Sequence, residues 1–163
     1  MNAVFNAEEV LEIAVYIEKQ GAAFYRRAAE IMENSDAKKL LEELAVMEDG
    51  HEIGFENMRA DPSILSQLIG DPDGEAATYL QAFATGQIFP RNDDPAGDLD
   101  KDVTLETILT RAIHMELSAI AFYSGIKDVM SQELGQSKVE TIISEERRHV
   151  TMLSERLAYL LSR

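Results

Sequence analysis

At 163 residues the chain is long enough to bury a proper core as one domain, and 45% apolar content with 4 prolines and 9 glycines fits a helical globular protein. Thirty acidic against 15 basic residues give a net charge of −15, which excludes nucleic acid and anionic membrane as partners, since no basic patch is available. A cysteine count of zero removes disulfides, thiolate metal sites and thiol nucleophiles.

The first residues, "MNAVFNAEEVLEIA", have no basic region and soon turn acidic, unlike a secretory signal. No apolar run approaches the ~18 residues of a membrane span, so a cytoplasmic protein is expected. A first helix is predicted from Asn6, an N-cap with Glu9 three residues on, to about Glu33. Ser35 and Asp36 start a second, which runs to about Ala60, where Asp61-Pro62 stops it. So short a loop makes the pair an antiparallel hairpin, 6–60. The stretch 61–103 carries all four prolines, a short helix over 74–83 ("GEAATYLQAF") and an acidic loop, "RNDDPAGDLDKD". A third helix begins at Thr104 and a fourth covers about Ser137 to Leu161, with their turn within 130–137; this second hairpin is 104–162. The long connection makes sense if the chain must travel the full bundle, about 39 Å for a helix of about 26 residues.

The hairpins are copies of one unit. A shift of 98 positions lays Asn6 on Thr104, Leu11 on Leu109, Ala14 on Ala112 and Glu18 on Glu116. It also lays Ala23-Phe24-Tyr25 on Ala121-Phe122-Tyr123, Glu48 on Glu146 and His51 on His149. Drifting helical filler does not keep polar residues in such register, so the chain contains an internal duplication.

At helical spacing each apolar stripe is interrupted near its centre. The interruption is Glu18 in the first helix, Glu48 and His51 in the second, Glu116 in the third, and Glu146 and His149 in the fourth. Their distances from the hairpin turns match, so four carboxylates and two imidazoles should meet at mid-height. Four buried carboxylates that close are prohibitively costly as bare charges, and they would protonate or bind cations. Two divalent ions balance four carboxylates and leave both histidines neutral as ligands. Oxygen and imidazole donors without sulfur suit iron or manganese, with zinc as a substitute. A polar core network without metal is the other reading.

With these residues in place, the chain resembles the ferritin-like superfamily and its rubrerythrin-like branch. The carriers are Glu18, the run Glu48-Asp49-Gly50-His51, Glu116 and the run Glu146-Arg147-Arg148-His149, over about 115 residues. "EERRH" at 145–149 also resembles the D/E-E-x-R-H motif of carboxylate-bridged diiron proteins. The resemblance implies an all-α, ferritin-like four-helix bundle over 1–163, two hairpins joined by a crossover with a short extra helix. It implies two iron ions, with Glu48 and Glu146 as bridges, Glu18 and Glu116 as terminal ligands, and His51 and His149 on one metal each. Tyr25 and Tyr123 are candidates to hydrogen-bond a bridging carboxylate, and Glu145 to orient His51. Met47 stands where Glu145 would in the first hairpin, so His149 is expected to find another partner.

The implied activity is a diiron oxidoreductase that reduces hydrogen peroxide or O2, of the kind that meets oxidative stress. The missing cysteines mean no rubredoxin-type pairs, so an external electron donor is required. Ile113 and Ala119 stand where rubrerythrins carry an extra carboxylate, which makes the ligand set a symmetric six. Iron storage with ferroxidase activity and a metal-stabilised helical module are the alternatives. A homodimer is expected, with Tyr79, Leu80 and Phe83 offering apolar surface. His114 is read as a surface or interface residue, Phe24 and Phe122 as core or dimer contacts, and Gly50 and Gly54 as points of close helix approach.

Overall fold

The computed structural model describes residues 7–65, 75–84, 95–97, 99–130 and 135–163. Among them are six helices: α1 (Ala7–Ile31), α2 (Ser35–Arg59), α3 (Pro62–Leu65), α4 (Glu75–Ala84), α5 (Leu105–Val129) and α6 (Gly135–Leu161). The expected cap Asn6 lies outside the described residues, as do four residues of the expected α5–α6 turn, 131–134.

Local chemistry sets the helix ends. Asn34, one residue before the expected start, caps α2, its side-chain oxygen accepting from the Ala37 N–H at 2.9 Å. Thr104 caps α5 as its position suggests, accepting from the Thr107 N–H at 3.2 Å. At the end of α2, Asp61 and Pro62 do more than stop a helix. Proline is favoured at a first helical position, and the Asp61 carboxylate accepts from the Ser63 N–H at 2.9 Å and from its hydroxyl at 2.6 Å. The result is the one-turn helix α3, absent from the sequence reading because four residues show no periodicity.

Helix α1 packs along α2, and α5 along α6; α1 meets α5 and α2 meets α6 to close an all-α four-helix bundle. The crossover helix α4 lies on α5. Gly125 allows this approach, because a Cβ there would sit 2.7 Å from the Tyr79 ring. Leu80 and Phe83 are buried, with the Phe83 ring tilted against that of Phe122 at 5.4 Å. This corrects the expectation that α4 offers its apolar residues to a second copy: two of the three are spent on the chain's own core. Only Tyr79 is exposed, and its hydroxyl donates to the Ala121 carbonyl at 2.9 Å.

The apolar core is split in two. One part gathers Leu11, Ile17, Phe55, Phe122, Tyr123, Ile126, Val139 and Ile142. The other gathers Phe24, Tyr25, Leu41, Leu44, Leu109, Ala112 and Leu153. Along every long helix the chain passes from one part to the other through a short polar step, at Glu18, Glu48–His51, Glu116 and Glu146–His149. No helix among the described residues is long and apolar enough to cross a membrane.

Candidate metal centre

The polar layer between the two apolar parts is where the six interrupting residues converge. Glu18, Glu48, His51, Glu116, Glu146 and His149 are the buried charged or polar residues of the described core, none more than 4% exposed. They form two overlapping sets, Glu18–Glu48–His51–Glu146 and Glu48–Glu116–Glu146–His149. Within each set one donor atom per residue lies within 4.8 Å of the others. Donors across an ion at ~2.2 Å from each would stand ~4.4 Å apart, so each set has the dimensions of a metal site. Glu48 and Glu146 belong to both.

The lone pairs point at shared space rather than at each other. His51 Nδ1 lies 2.9 Å from Glu146 Oε1 and His149 Nδ1 lies 2.8 Å from Glu146 Oε2. Yet these four atoms and Glu48 Oε1 are buried without a properly oriented hydrogen bond. Close distance without hydrogen-bond angles is what donors aimed at a common point between them produce. Buried polar atoms left in that state are costly, so the residues fit a pair of divalent cations.

The protein groups alone settle into a neutral set. Burial pushes the Glu18 carboxyl well above the usual carboxylate range, and neighbouring Glu48 adds to it. Glu116 rises for the same first reason, helped by Glu48 and Glu146. Burial would also raise Glu48, but its contacts with Glu18, His149 and His51 outweigh that and hold it low. Glu146 is lowered against burial by His149 and His51. Burial works against a charged imidazole, yet contacts with Glu116, Glu146 and Glu48 push His149 up to about 11. Glu146, Glu18 and Glu48 raise His51 in the same way. These directions are those of a set with two carboxylates, two neutral carboxyls and two imidazolium ions, which would sum to zero charge. Four protons thus stand in for two divalent ions.

Each tyrosine reaches across the bundle to the opposite hairpin. The Tyr25 phenol donates to Glu116 and the Tyr123 phenol to Glu18. The partners are therefore the lone glutamates and not Glu48 or Glu146, because the phenols project from the lone-glutamate helices α1 and α5. Burial first, then the adjacent carboxylates, raise both phenols, so they stay protonated and remain donors.

Behind the histidines the duplication breaks. His51 Nε2 lies 2.7 Å from Glu145 Oε2, as the resemblance implies. His149 Nε2 lies 3.1 Å from the Met47 sulfur. The expectation of a different partner for His149 is corrected: Met47 keeps the position of its counterpart and only the chemistry differs. The signal was the 98-residue shift itself.

Other assignments also change. Close helix approach does not explain Gly50, since a Cβ there would meet nothing within 4 Å, or Gly54, whose Cβ would make an ordinary 3.6 Å contact with Ile142. The glycine that faces the cluster is Gly21, whose Cβ would lie 3.5 Å from the Glu48 carboxyl. A cavity of about 220 Å³ runs beside it between α1 and α5. Ile17, Gly21, Met115 and Ala119 line it, exposed His114 and half-buried Pro95 border it, and it reaches Glu18, Glu48 and Glu116. Neither His51 nor His149 touches it, so the cluster is open on the face away from its imidazoles. Phe24 and Phe122 are fully buried core residues.

Residues 2–59 match the family model "Rubrerythrin", a span that covers α1 and α2. The match spans the first hairpin alone. The fold is supported by a crystal structure from Thermotoga maritima, provisionally described as a ferritin-like diiron-carboxylate protein. It shares 24% identity and a TM-score of 0.69 with this chain, covering 94% of this chain and 95% of its own. No curated protein sequence matches. The matched hairpin holds Glu18, Glu48 and His51, half of the cluster, and the duplicated hairpin holds the other half. The donor chemistry and dimensions of the buried glutamate and histidine cluster fit a pair of divalent ions.

Proposed function

We propose that the cluster holds two iron ions and that the reduced protein passes two electrons to hydrogen peroxide or O2. The observation that carries this reading is the pair of overlapping four-residue sets sharing Glu48 and Glu146. Shared carboxylates suit bridging roles, which leaves Glu18 with His51 on one ion and Glu116 with His149 on the other. When bound and ferrous, an iron pair held by these residues would supply the two electrons that, with two protons, reduce one peroxide to two waters.

The chain's own residues do the rest. Tyr25 and Tyr123 hold the two terminal carboxylates by hydrogen bonds from opposite hairpins, so each ion's geometry depends on both halves of the duplication. The apolar layers above and below the cluster exclude water along the bundle axis. Entry is through the α1–α5 cavity, whose volume of about 220 Å³ has room for a small oxidant. Because the chain has no cysteine, the electrons come from an external donor.

The test is anaerobic ferrous loading followed by a peroxide or O2 pulse, read optically, on wild type and Glu48→Ala. Two irons per chain that oxidise promptly and turn over with added reductant support the proposal, with Glu48→Ala losing the pair. Loading far beyond two irons makes the protein a store. Two irons that do not react leave a structural role, and no iron removes the reading.

A further inference from the structure

We propose that the two metal positions are unequal, the Glu18–Glu48–His51–Glu146 half taking its ion first because Glu145 backs His51 while only the Met47 thioether backs His149. This rests on the two-metal reading above.

An imidazole that offers Nδ1 to a metal must place its Nε2–H somewhere, and that partner sets ring orientation and ligand strength. Behind His51 the partner is an ionisable carboxylate at 2.7 Å. Its other oxygen lies 3.5 Å from the Arg148 guanidinium, an exposed ion pair one helical turn along. Behind His149 the partner is a sulfur at 3.1 Å, a weak acceptor without charge. The shift that lays Glu48 on Glu146 lays Met47 on Glu145 and Gly50 on Arg148. Both members of the carboxylate–guanidinium pair are therefore present in the second hairpin and absent from the first.

The ligands themselves and their phenol partners are paired in the two halves. Glu18 with Tyr123 mirrors Glu116 with Tyr25, and Glu48 and Glu146 are common to both sets. The partner behind each histidine is thus the main chemical difference between the halves. Removing such a partner weakens metal binding by about 10- to 100-fold, which sets the size of the inequality. At limiting metal the chain then holds one ion beside His51, a form that lacks the second reducing equivalent for a two-electron reaction.

The test is Mn(II) titration of the metal-free full chain, followed by electron paramagnetic resonance of the free ion. Repulsion between two ions would separate the binding steps even at identical positions, so variants decide. Glu145→Met should weaken the first step by about 10- to 100-fold, because the better half is lost. Met47→Glu should strengthen the second step and leave the first within about twofold. If repulsion alone separates the steps, Glu145→Met leaves the first unchanged, since an equal half remains; that result overturns the proposal and leaves the two-metal reading intact. Glu145 and Met47 are each nearly 40% exposed, so both substitutions should fold. Should Glu145→Met fail to fold, an unchanged second step in Met47→Glu overturns the proposal by itself. A separate readout is nuclear magnetic resonance of the ring N–H protons at one equivalent of metal. His51 should broaden before His149, and the reverse order overturns the assignment. A wild type that binds no Mn(II) removes the two-metal reading as well.

Discussion

Loading the metal-free protein with two divalent ions at pH 7 should release four protons per chain. The number follows from the charge balance of the buried layer. With protein groups alone, Glu18 and Glu116 are raised and carry protons, Glu48 and Glu146 are lowered and ionised, and both imidazoles are charged. With two ions bound, all four carboxylates are charged and both imidazoles neutral. The layer is neutral in each state, as a buried cluster must nearly be, and the difference is four protons. The assay is Zn(II) or Mn(II) addition in weak buffer with a pH indicator, checked by calorimetry in two buffers of different ionisation enthalpy. Glu116→Gln puts a neutral amide in place of the protonated carboxyl, so at saturating metal it should release about one proton fewer. Release of one proton or none from wild type would refute the reasoning, because the layer would then be charged in one of the two states.

Three further outcomes follow from the same geometry. The folded His149 value of about 11 stands above the 6.5 of free imidazole, so its stabilisation is whole below about pH 6.5 and is lost as pH rises toward 11. His51, Glu18 and Glu116 have the same sign, and each retained proton is worth about 1.4 kcal/mol per pH unit. Metal-free protein should therefore melt at lower temperature at pH 9 than at pH 6, while metal-loaded protein shows a shallower change; a flat metal-free profile contradicts this. Tyr123→Phe or Tyr25→Phe strips a buried carboxyl of its phenol and should cost about 1–3 kcal/mol in chemical denaturation, by similar amounts in the two hairpins. Gly50→Ala should stabilise by up to about 1 kcal/mol, since Gly50 lies inside α2 and the new methyl meets nothing, and a lower midpoint would contradict that.

Much of the arrangement was legible in the sequence because the six polar residues occupy positions that helical periodicity reserves for the core. A carboxylate at the centre of an apolar stripe has no inexpensive explanation, and four at matching heights on duplicated hairpins specify where the helices must face each other. Glu145 could be placed as well, because in the diiron proteins that the sequence resembles the residue before the ligand glutamate orients a histidine. The partners of Tyr25 and Tyr123 could not be resolved, since helical spacing gives a face and a height but not which of several carboxylates at that height the phenol reaches. Met47 was visible as the counterpart of Glu145, yet a thioether looked too weak to replace a carboxylate; position, not chemistry, decided the contact. The roles of Gly21 and Gly125 depend on neighbouring helices, which one helix's pattern does not encode. The apolar residues of α4 looked available to a partner because nothing local shows that Leu80 and Phe83 fold back onto α5.

The most direct test of the central claim is anomalous diffraction at the iron edge from crystals of the iron-loaded protein. The account requires two peaks, one among Glu18, Glu48, His51 and Glu146 and the other among Glu48, Glu116, Glu146 and His149. A single peak, or iron bound elsewhere while these six side chains stay paired with one another, would contradict it.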